Sequence, residues 1–242
     1  SRITKKFAEL KKAKRTAFMP FIVAGDPDYK KSLAFAKELA KVGDLLELGF
    51  PYSDPLADGP TIQAADTRAL KSGMTVSKVF QLVRDIRKES DIPISVLVYA
   101  NLVYKRGIDK FYKDVAQAGI DGVLIPDVPV EESEPYVKAA NKYGVDPIFL
   151  VTQTTTDDRL NKILKHAKGY MYLVSILGVT GKRAKFAKDV NAFIGRTARK
   201  SPLPIAVGFG ISKPEQARAF AKAGADGVIV GSALIDSLHN FG

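Results

Sequence analysis

The sequence contains no cysteine and no tryptophan, and histidine occurs only twice, as His166 and His239. Without cysteine the chain has no disulfide bond, no catalytic thiolate and no cysteine-based zinc site. Two histidines are too few for a histidine-rich metal site, so we expect no metal ion. The absence of cysteine also fits a reducing compartment.

Long hydrophobic runs are missing as well. The uncharged run over residues 92–104 is shorter than the stretch of about 20 residues that spans a membrane. It also contains Pro93 and Asn101. The charged N-terminus does not resemble a secretory signal peptide. We therefore expect a cytoplasmic protein with no membrane partner.

The 242 residues are 46% hydrophobic and 26% charged, which is typical of a globular protein with a sizeable core. This length suits two small domains or one large α/β barrel. The net charge of +11 favours anionic ligands, a phosphorylated substrate among them. The densest basic cluster, which we interpret as the solvated face of a leading helix, comprises Lys5, Lys6, Lys11, Lys12, Lys14 and Arg15. No nucleic-acid motif accompanies it, so we expect no nucleic-acid partner.

Short apolar segments alternate with helical patterns along the whole chain. The predicted strands are residues 18–24, 45–49, 94–98, 122–125, 147–151, 170–174, 205–207 and 227–230. The predicted helices are residues 31–42, 76–89, 108–118, 131–143, 157–166 and 214–223. Alternating strands and helices indicate right-handed β–α–β units and a parallel sheet.

Eight such strands without an evident linker predict an eight-stranded parallel β/α (TIM) barrel, with residues 1–242 as one domain. Residues 118–125 and 223–230 repeat one pattern, in which a helix ends at glycine and a buried strand follows. The alternative is a doubly wound open sheet, although no Gly-x-Gly-x-x-Gly turn follows the first strand. Only twelve residues follow the last strand, which is short for a full closing helix.

Glu47 interrupts the apolar strand 45–49. Burial of an unpaired carboxylate costs several kcal/mol, so a strand buried on both faces rarely contains one. Near the C-terminal end of a barrel strand such a residue is typical of a catalytic group. The alternative is a structural salt bridge to a neighbouring element.

Residues 50–63 follow that strand and are rich in turn-forming residues, which predicts a long loop. The loop carries Asp54 and Asp58. Loops after barrel strands form the active-site face, so Asp58 is placed to converge on Glu47. Aspartate in a turn is more often a local cap, and the loop pattern alone leaves this open.

Two glycine-containing turns predict a phosphate site. Gly210 lies in the turn after the seventh strand, and Gly231 and Ser232 follow the eighth. Many barrels bind phosphate at this corner, through glycine amides and the N-terminus of a short helix. Ordinary strand-to-helix glycines are the alternative for either turn taken alone.

Seven segments, in the same order, resemble the tryptophan synthase alpha chain family. The longest is Glu-Leu-Gly-Phe-Pro-Tyr-Ser-Asp-Pro-Leu-Ala-Asp-Gly-Pro-Thr-Ile-Gln at residues 47–63. The others are residues 20–27, 99–103, 127–133, 178–181, 208–212 and 231–232. One match alone carries little information, whereas seven in register are highly specific.

The resemblance implies that the chain splits indole-3-glycerol phosphate into indole and glyceraldehyde-3-phosphate. It implies Glu47 as the acid–base shuttle and Asp58 as the group that holds the indole N–H. It adds Gly181 to the phosphate site. It also implies an apolar indole pocket of Phe21, Ile62, Leu97, Leu124, Tyr172, Thr180, Phe209 and Ile229. By pattern alone, most of these are equally well explained as barrel core.

The resemblance further implies an α2β2 assembly with a tryptophan synthase beta chain. Pyridoxal phosphate is expected in that partner and no cofactor in this chain. Residues 177–186, which are rich in glycine and basic residues, are expected to form a mobile lid. The alternatives are a non-catalytic activator of the beta chain and another phosphosugar barrel enzyme, such as an isomerase.

Overall fold

A computed structural model describes residues 1–174, 183–208 and 210–241. Eight parallel strands form a closed barrel in the order β1 to β8, in which β8 pairs with β1. The strands are β1 Ala17–Val23, β2 Leu46–Gly49, β3 Ile94–Leu97, β4 Gly122–Leu124, β5 Asp146–Thr152, β6 Met171–Val174, β7 Ile205–Gly208 and β8 Gly227–Val230. The predicted barrel is confirmed, and the open-sheet alternative is wrong because the first and last strands are hydrogen-bonded.

Helices surround the barrel. They are α1 Arg2–Lys12, α2 Tyr29–Val42, α3 Pro60–Lys71, α4 Val76–Arg87, α5 Ala100–Arg106, α6 Ile108–Ala118, α7 Glu134–Lys142, α8 Asp157–His166, α9 Arg183–Lys200, α10 Pro214–Ala223 and α11 Ser232–Phe241. All six helices predicted from the pattern are present, each within a few residues of its expected bounds. The start of the fourth, predicted at residue 131, differs most, because Val130–Glu132 form a separate 3-10 turn before α7.

The loop predicted over residues 50–63 ends earlier than expected. Pro60 is the first residue of α3, and extended Gly59 caps that helix. Proline favours this position because its fixed φ suits a helix and its missing N–H has no partner there. The last four residues of the expected loop are therefore the first turn of α3, and Asp58 lies just before it.

The segment after β8 is mostly helical. Ten of its residues form α11, whose Ile235 is buried and whose first turn begins directly after Gly231. The twelve residues after β8 thus accommodate a ten-residue helix. Residues of α11 pack against α3 and β1, which joins the end of the chain to its first strand.

Helix α1 covers the N-terminal end of the barrel. Its apolar residues Ile3, Phe7 and Leu10 recur at helical spacing and are buried. The Phe7 ring lies 5.9 Å from the ring of Tyr170, centroid to centroid. A β-carbon on Gly122, the first residue of β4, would lie 2.9 Å from the Ile3 side chain. We call this end of the barrel the floor, and the end with the C-termini of the strands the rim.

The basic cluster of the leading segment has the predicted solvated arrangement. Lys5, Lys11, Lys12, Lys14 and Arg15 are exposed, and Lys6 is half-buried. Within the described ranges, the helices are all too short or too polar to cross a membrane.

Candidate functional site at the rim of the barrel

Glu47 lies on β2 and is completely buried. The strand register sets it level with Phe21 on β1 and Ser95 on β3. Its side chain enters the barrel, since it meets Tyr170, which stands directly before β6 across the interior. A salt bridge, the alternative drawn from sequence, is absent among the described residues.

A short chain of hydroxyl groups fixes one oxygen of Glu47. The Tyr170 hydroxyl donates to Glu47 Oε1 at 3.2 Å. Ser95 Oγ lies 3.0 Å from the same hydroxyl and donates to it, because the tyrosine proton is already in use. Glu47 Oε2 has no partner within the described part of the chain. One carboxyl oxygen is therefore held in place while the other is available to a ligand.

Burial raises the pKa of Glu47 to about 8. The negative charge of Asp58 also raises it, and the Tyr170 hydrogen bond opposes both effects. Glu47 is accordingly protonated at neutral pH. A carboxyl with this pKa both donates and accepts a proton near neutrality, as a general acid–base group must.

Asp58 lies in the turn between β2 and α3, where it is half-buried. Its Oδ2 accepts a hydrogen bond of 2.8 Å from the Tyr99 hydroxyl. The same hydroxyl accepts a bond of 3.0 Å from the backbone N–H of Ala57. Tyr99 thus binds the loop by its backbone and by the carboxylate.

Partial burial raises the pKa of Asp58, while the Tyr99 hydrogen bond lowers it. Glu47 and Asp58 are close enough for the charge of one to affect the other. Since only Glu47 is completely buried, the two carboxyls occupy unlike environments. Such a pair supports one protonated and one ionised carboxyl in the same site.

The strand members of the expected apolar pocket lie on the inward side of the barrel. Phe21 is level with Glu47, and Leu97 on β3 is level with Leu124 on β4. Tyr172 follows Tyr170 by two residues, which returns its side chain to the same side of β6. The pocket residues that the structure describes are all buried, namely Phe21, Ile62, Leu97, Leu124, Tyr172 and Ile229.

Thr180 and Phe209 of the expected pocket lie outside the described residues, as does Gly181 of the expected phosphate site. The same holds for residues 177–182 of the expected lid, whose remaining residues 183–186 are the first of α9.

The described part of the expected phosphate corner combines two backbone features. Gly210 has a φ of +74°, a left-handed conformation that glycine tolerates. The Gly231 carbonyl accepts from the backbone N–H groups of Leu234 and Ile235, which makes it the first acceptor of α11. Ser232 is exposed at the start of that helix. The first N–H groups of α11 therefore lie at the rim, where an anion interacts favourably with them.

The structure shows a packing reason for glycine at position 231. A β-carbon there would lie 3.2 Å from the Phe21 ring, so the close neighbour is a side chain of the expected pocket. Gly208 is restricted in a similar way, because its β-carbon would lie 2.2 Å from the Tyr172 hydroxyl.

Sequence reasoning missed several polar residues around the two carboxyls. Ser95 gave a signal like that of Glu47, a polar residue in an apolar strand, and Tyr170 and Tyr99 were assigned no role. Asp66 on α3 was also overlooked, although it is buried and its Oδ2 has no described partner. The pKa of Asp66 is raised to about 7, mainly by burial and to a smaller extent by the negative charge of Asp58.

The residues described by the structure contain no cluster of three or more potential metal ligands. What the site offers instead is a protonated carboxyl, a second carboxyl held by tyrosine, an apolar interior and a helix N-terminus. This arrangement suits proton transfer on an apolar ligand that bears an anionic group at one end.

Comparisons with known proteins agree with that chemistry. The family model described as tryptophan synthase alpha chain matches residues 7–241. The tryptophan synthase alpha chain of Methanoregula boonei is 53% identical over 223 residues, which covers 92% of this chain and 84% of the relative. That of Methanothermobacter thermautotrophicus is 49% identical over 232 residues and covers 95% and 86%, respectively.

Solved structures resemble the barrel closely. Tryptophan synthase subunit alpha of Legionella pneumophila superimposes with a TM-score of 0.87 at 37% identity, over 97% of this chain and 87% of that one. A chain from the tryptophan synthase α2β2 complex of Pyrococcus furiosus, solved to explain the mutual activation of that complex, gives a TM-score of 0.87 at 36% identity. That match covers 93% of this chain and 91% of the other.

Proposed function

Because this chain belongs to the tryptophan synthase alpha chain family, we propose that Glu47 and Asp58 are the catalytic pair of its lyase reaction. The reaction is the cleavage of indole-3-glycerol phosphate into indole and glyceraldehyde-3-phosphate in tryptophan biosynthesis. One observation carries the assignment of residues. Glu47 is a completely buried carboxyl inside the barrel, with one oxygen fixed by Tyr170 and the other without a described partner.

The cleavage moves one proton within the substrate. Carbon 3 of the indole ring must gain a proton, and the hydroxyl on the adjacent side-chain carbon must lose one. Glu47, protonated at neutral pH, donates its proton to carbon 3 through Oε2. The resulting carboxylate then takes the hydroxyl proton as the carbon–carbon bond breaks, its electron pair returns to the ring and an aldehyde forms. Glu47 ends the cycle protonated, so the step needs no other acid or base.

Protonation of carbon 3 leaves positive charge on the indole ring. Asp58, whose carboxylate is held by Tyr99, accepts a hydrogen bond from the indole N–H and stabilises that charge. Each positioned group of this kind commonly contributes about 10²–10⁴-fold to a rate. We assign the apolar pocket for the ring to the buried side chains of Phe21, Leu97, Leu124, Tyr172 and Ile229, with Ile62 of α3. The proposal also includes Thr180 and Phe209, which lie outside the described residues.

We assign the substrate phosphate to the corner formed by Gly181, Gly210, Gly231 and Ser232. The exposed start of α11 supports this assignment, because backbone N–H groups there lack helical partners. We take residues 1–242 as one barrel domain, supported by the pairing of β1 with β8. We place the protein in the cytoplasm, because a charged phosphate ester such as its substrate crosses a bilayer poorly.

The purified chain tests the function directly. Incubation with indole-3-glycerol phosphate is expected to release indole and glyceraldehyde-3-phosphate in equal amounts. A non-catalytic activator would release neither product without a partner, and an isomerase would consume the substrate without forming indole. Either outcome would contradict the proposal.

Substitution of Ser232 by aspartate tests the phosphate corner. An acidic residue at a helix N-terminus stabilises the helix, yet here it would repel the substrate phosphate. We expect the KM for indole-3-glycerol phosphate to rise about tenfold or more with kcat and Tm little changed, since a nearby like charge disfavours anion binding. Ser232→Asn, which adds no charge, is the matched control. An unchanged KM in Ser232→Asp would remove Ser232 from the phosphate site.

We further propose that the chain assembles with a tryptophan synthase beta chain as an α2β2 complex, as the Pyrococcus furiosus protein does. Pyridoxal phosphate would then belong to the beta chain, and the lyase step uses only residues of this one. The exposed rim loop supports a docking surface there: Leu56, two residues before Asp58, is 92% exposed. A partner that orders this loop brings Asp58 into line with Glu47.

Saturation with the cognate beta chain is expected to raise the lyase kcat about tenfold or more, a coupling of typical size. Leu56→Asp should weaken this activation without changing the basal rate, because the Leu56 side chain is exposed to solvent. Val42→Asp is the matched control, since Val42 is 67% exposed at the end of α2, by the floor. An unchanged rate at demonstrated saturation would exclude activation, though not the chemistry.

A further inference from the structure

The hydroxyl of Tyr99 is the point at which the Asp58 loop is attached to the barrel. It donates to Asp58 Oδ2 at 2.8 Å and accepts from the Ala57 N–H at 3.0 Å. A tyrosine hydroxyl has one proton, so the direction of these bonds is fixed: the proton goes to the carboxylate and a lone pair takes the amide. The Tyr99 hydroxyl oxygen therefore fixes the positions of two successive loop residues, Ala57 and Asp58.

The backbone of Tyr99 is itself held firmly. Tyr99 is the cap residue of α5, two residues after the end of β3, and is only 2% exposed. The next residue, Ala100, donates its backbone N–H to the Asp127 carboxylate at 2.9 Å. The hydroxyl consequently projects from a rigid part of the barrel toward a loop that has no regular structure of its own.

The ring of Tyr99 is fixed from the loop side. It stacks on the ring of Tyr52 with centroids 5.0 Å apart and planes inclined by 24°. The Tyr52 hydroxyl accepts a bond of 3.2 Å from Asn101 Nδ2, on the first turn of α5. The loop is thus joined to the end of β3 at its beginning, by the ring stack, and at its end, by Asp58.

We infer that Tyr99 is a positioning residue, which holds Asp58 in place without itself touching the substrate. This inference rests on the proposed role of Asp58 in the lyase reaction. A rigid partner within hydrogen-bond reach lowers the cost of ordering a catalytic loop, and small misplacements of such groups reduce rates strongly. We therefore expect Tyr99 to affect the reaction rate only by positioning Asp58.

Tyr99→Phe removes the hydroxyl and keeps the ring stack. We expect kcat to fall about tenfold, since the two hydrogen bonds that hold Asp58 and Ala57 are lost, with a smaller change in KM. The matched control is Tyr112→Phe, because Tyr112 is another buried tyrosine, on α6, at a distance from the carboxyls. Its kcat should remain at the wild-type value. Circular dichroism and Tm of both variants check that the fold is retained.

The pH profile separates positioning from a purely structural role. The Tyr99 hydrogen bond lowers the pKa of Asp58, so its loss should move the acid limb of kcat/KM to higher pH. Among the described residues, the other titratable groups whose charges interact with Asp58 are Glu47 from β2, Asp66 from α3 and Tyr172 from β6. They remain in the variant, so a displaced acid limb reports on the missing hydroxyl.

A double-mutant cycle gives the decisive outcome. If Tyr99 acts through Asp58, Tyr99→Phe should change kcat less than about twofold in an Asp58→Asn background, because coupled residues are not additive. An equal fold-loss in both backgrounds, or no loss in either, would overturn the inference. Full activity of Asp58→Asn alone would instead contradict the proposed role of Asp58, so the two failures are distinguishable.

Discussion

Replacement of Glu47 by glutamine is expected to reduce the lyase kcat by about 10³-fold or more, since the acid and the base of the reaction are lost together. Glutamine keeps the shape of the side chain and an acceptor for the Tyr170 hydroxyl, but it transfers no proton at neutral pH. Release of indole from indole-3-glycerol phosphate measures the effect. Wild-type turnover in this variant would show that another group performs the proton transfer.

The control for this substitution is Asp146→Asn. Asp146 is also a buried carboxyl with a pKa raised by burial, but it begins β5 at the floor, where it bonds to Ser1. It lies at the opposite end of the barrel from the substrate site, so Asp146→Asn should retain lyase activity. Comparable losses in both variants would indicate that loss of any buried carboxyl disturbs the barrel.

Glu47→Gln is expected to become more stable than the wild type as the pH rises. Burial raises the pKa of Glu47 from its ordinary value of 4.5 to about 8, so the folded state holds this proton more tightly than the unfolded chain. The stability contributed by Glu47 is full below pH 4.5 and declines as the pH rises toward 8. Glutamine does not titrate, so its advantage over the wild type at pH 9 is on the order of 5 kcal/mol and vanishes at pH 4. Thermal unfolding at both pH values measures the difference.

Asp58→Asn should reduce kcat about 10²-fold, because the neutral amide no longer stabilises positive charge on the indole ring. The amide oxygen still accepts the Tyr99 hydrogen bond, so the loop should keep its conformation and KM should change much less than kcat. Steady-state kinetics of indole release separate the two parameters.

Asp54→Asn is the matched control, because Asp54 is an exposed carboxylate of the same loop whose described partner is Ser53. Its kinetics should equal those of the wild type in the isolated chain. A loss in Asp54→Asn similar to that in Asp58→Asn would point to the net charge of the loop as the cause.

Glu47 could be predicted from sequence because its signal is local. A carboxylate within five residues of apolar strand costs free energy wherever the strand is buried, whatever the rest of the fold. The strand–helix alternation is local in the same sense and predicted the eight strands. The choice between a closed barrel and an open sheet was different, since only pairing between β1 and β8 decides it.

The partners of the two carboxyls could not be predicted because they are remote in sequence. Tyr170 is separated from Glu47 by 123 residues, and Tyr99 from Asp58 by 41. No periodicity in the chain reports which tyrosine faces which carboxyl. The burial of Asp66 was hidden for a related reason, because residues 60–63 were interpreted as loop and the inward face of α3 was not recognised.

Helix α1 closes the floor of the barrel, and this restricts the path by which substrate and products reach and leave the site. Ile3 and Phe7 pack against the lower strands, so α1 closes the barrel at the floor. A substrate therefore has to approach Glu47 from the rim, past the loop that carries Asp58 and Leu56. Both products have to leave by the same path. A partner bound at the rim would therefore control which product is released into bulk water and which passes directly to that partner.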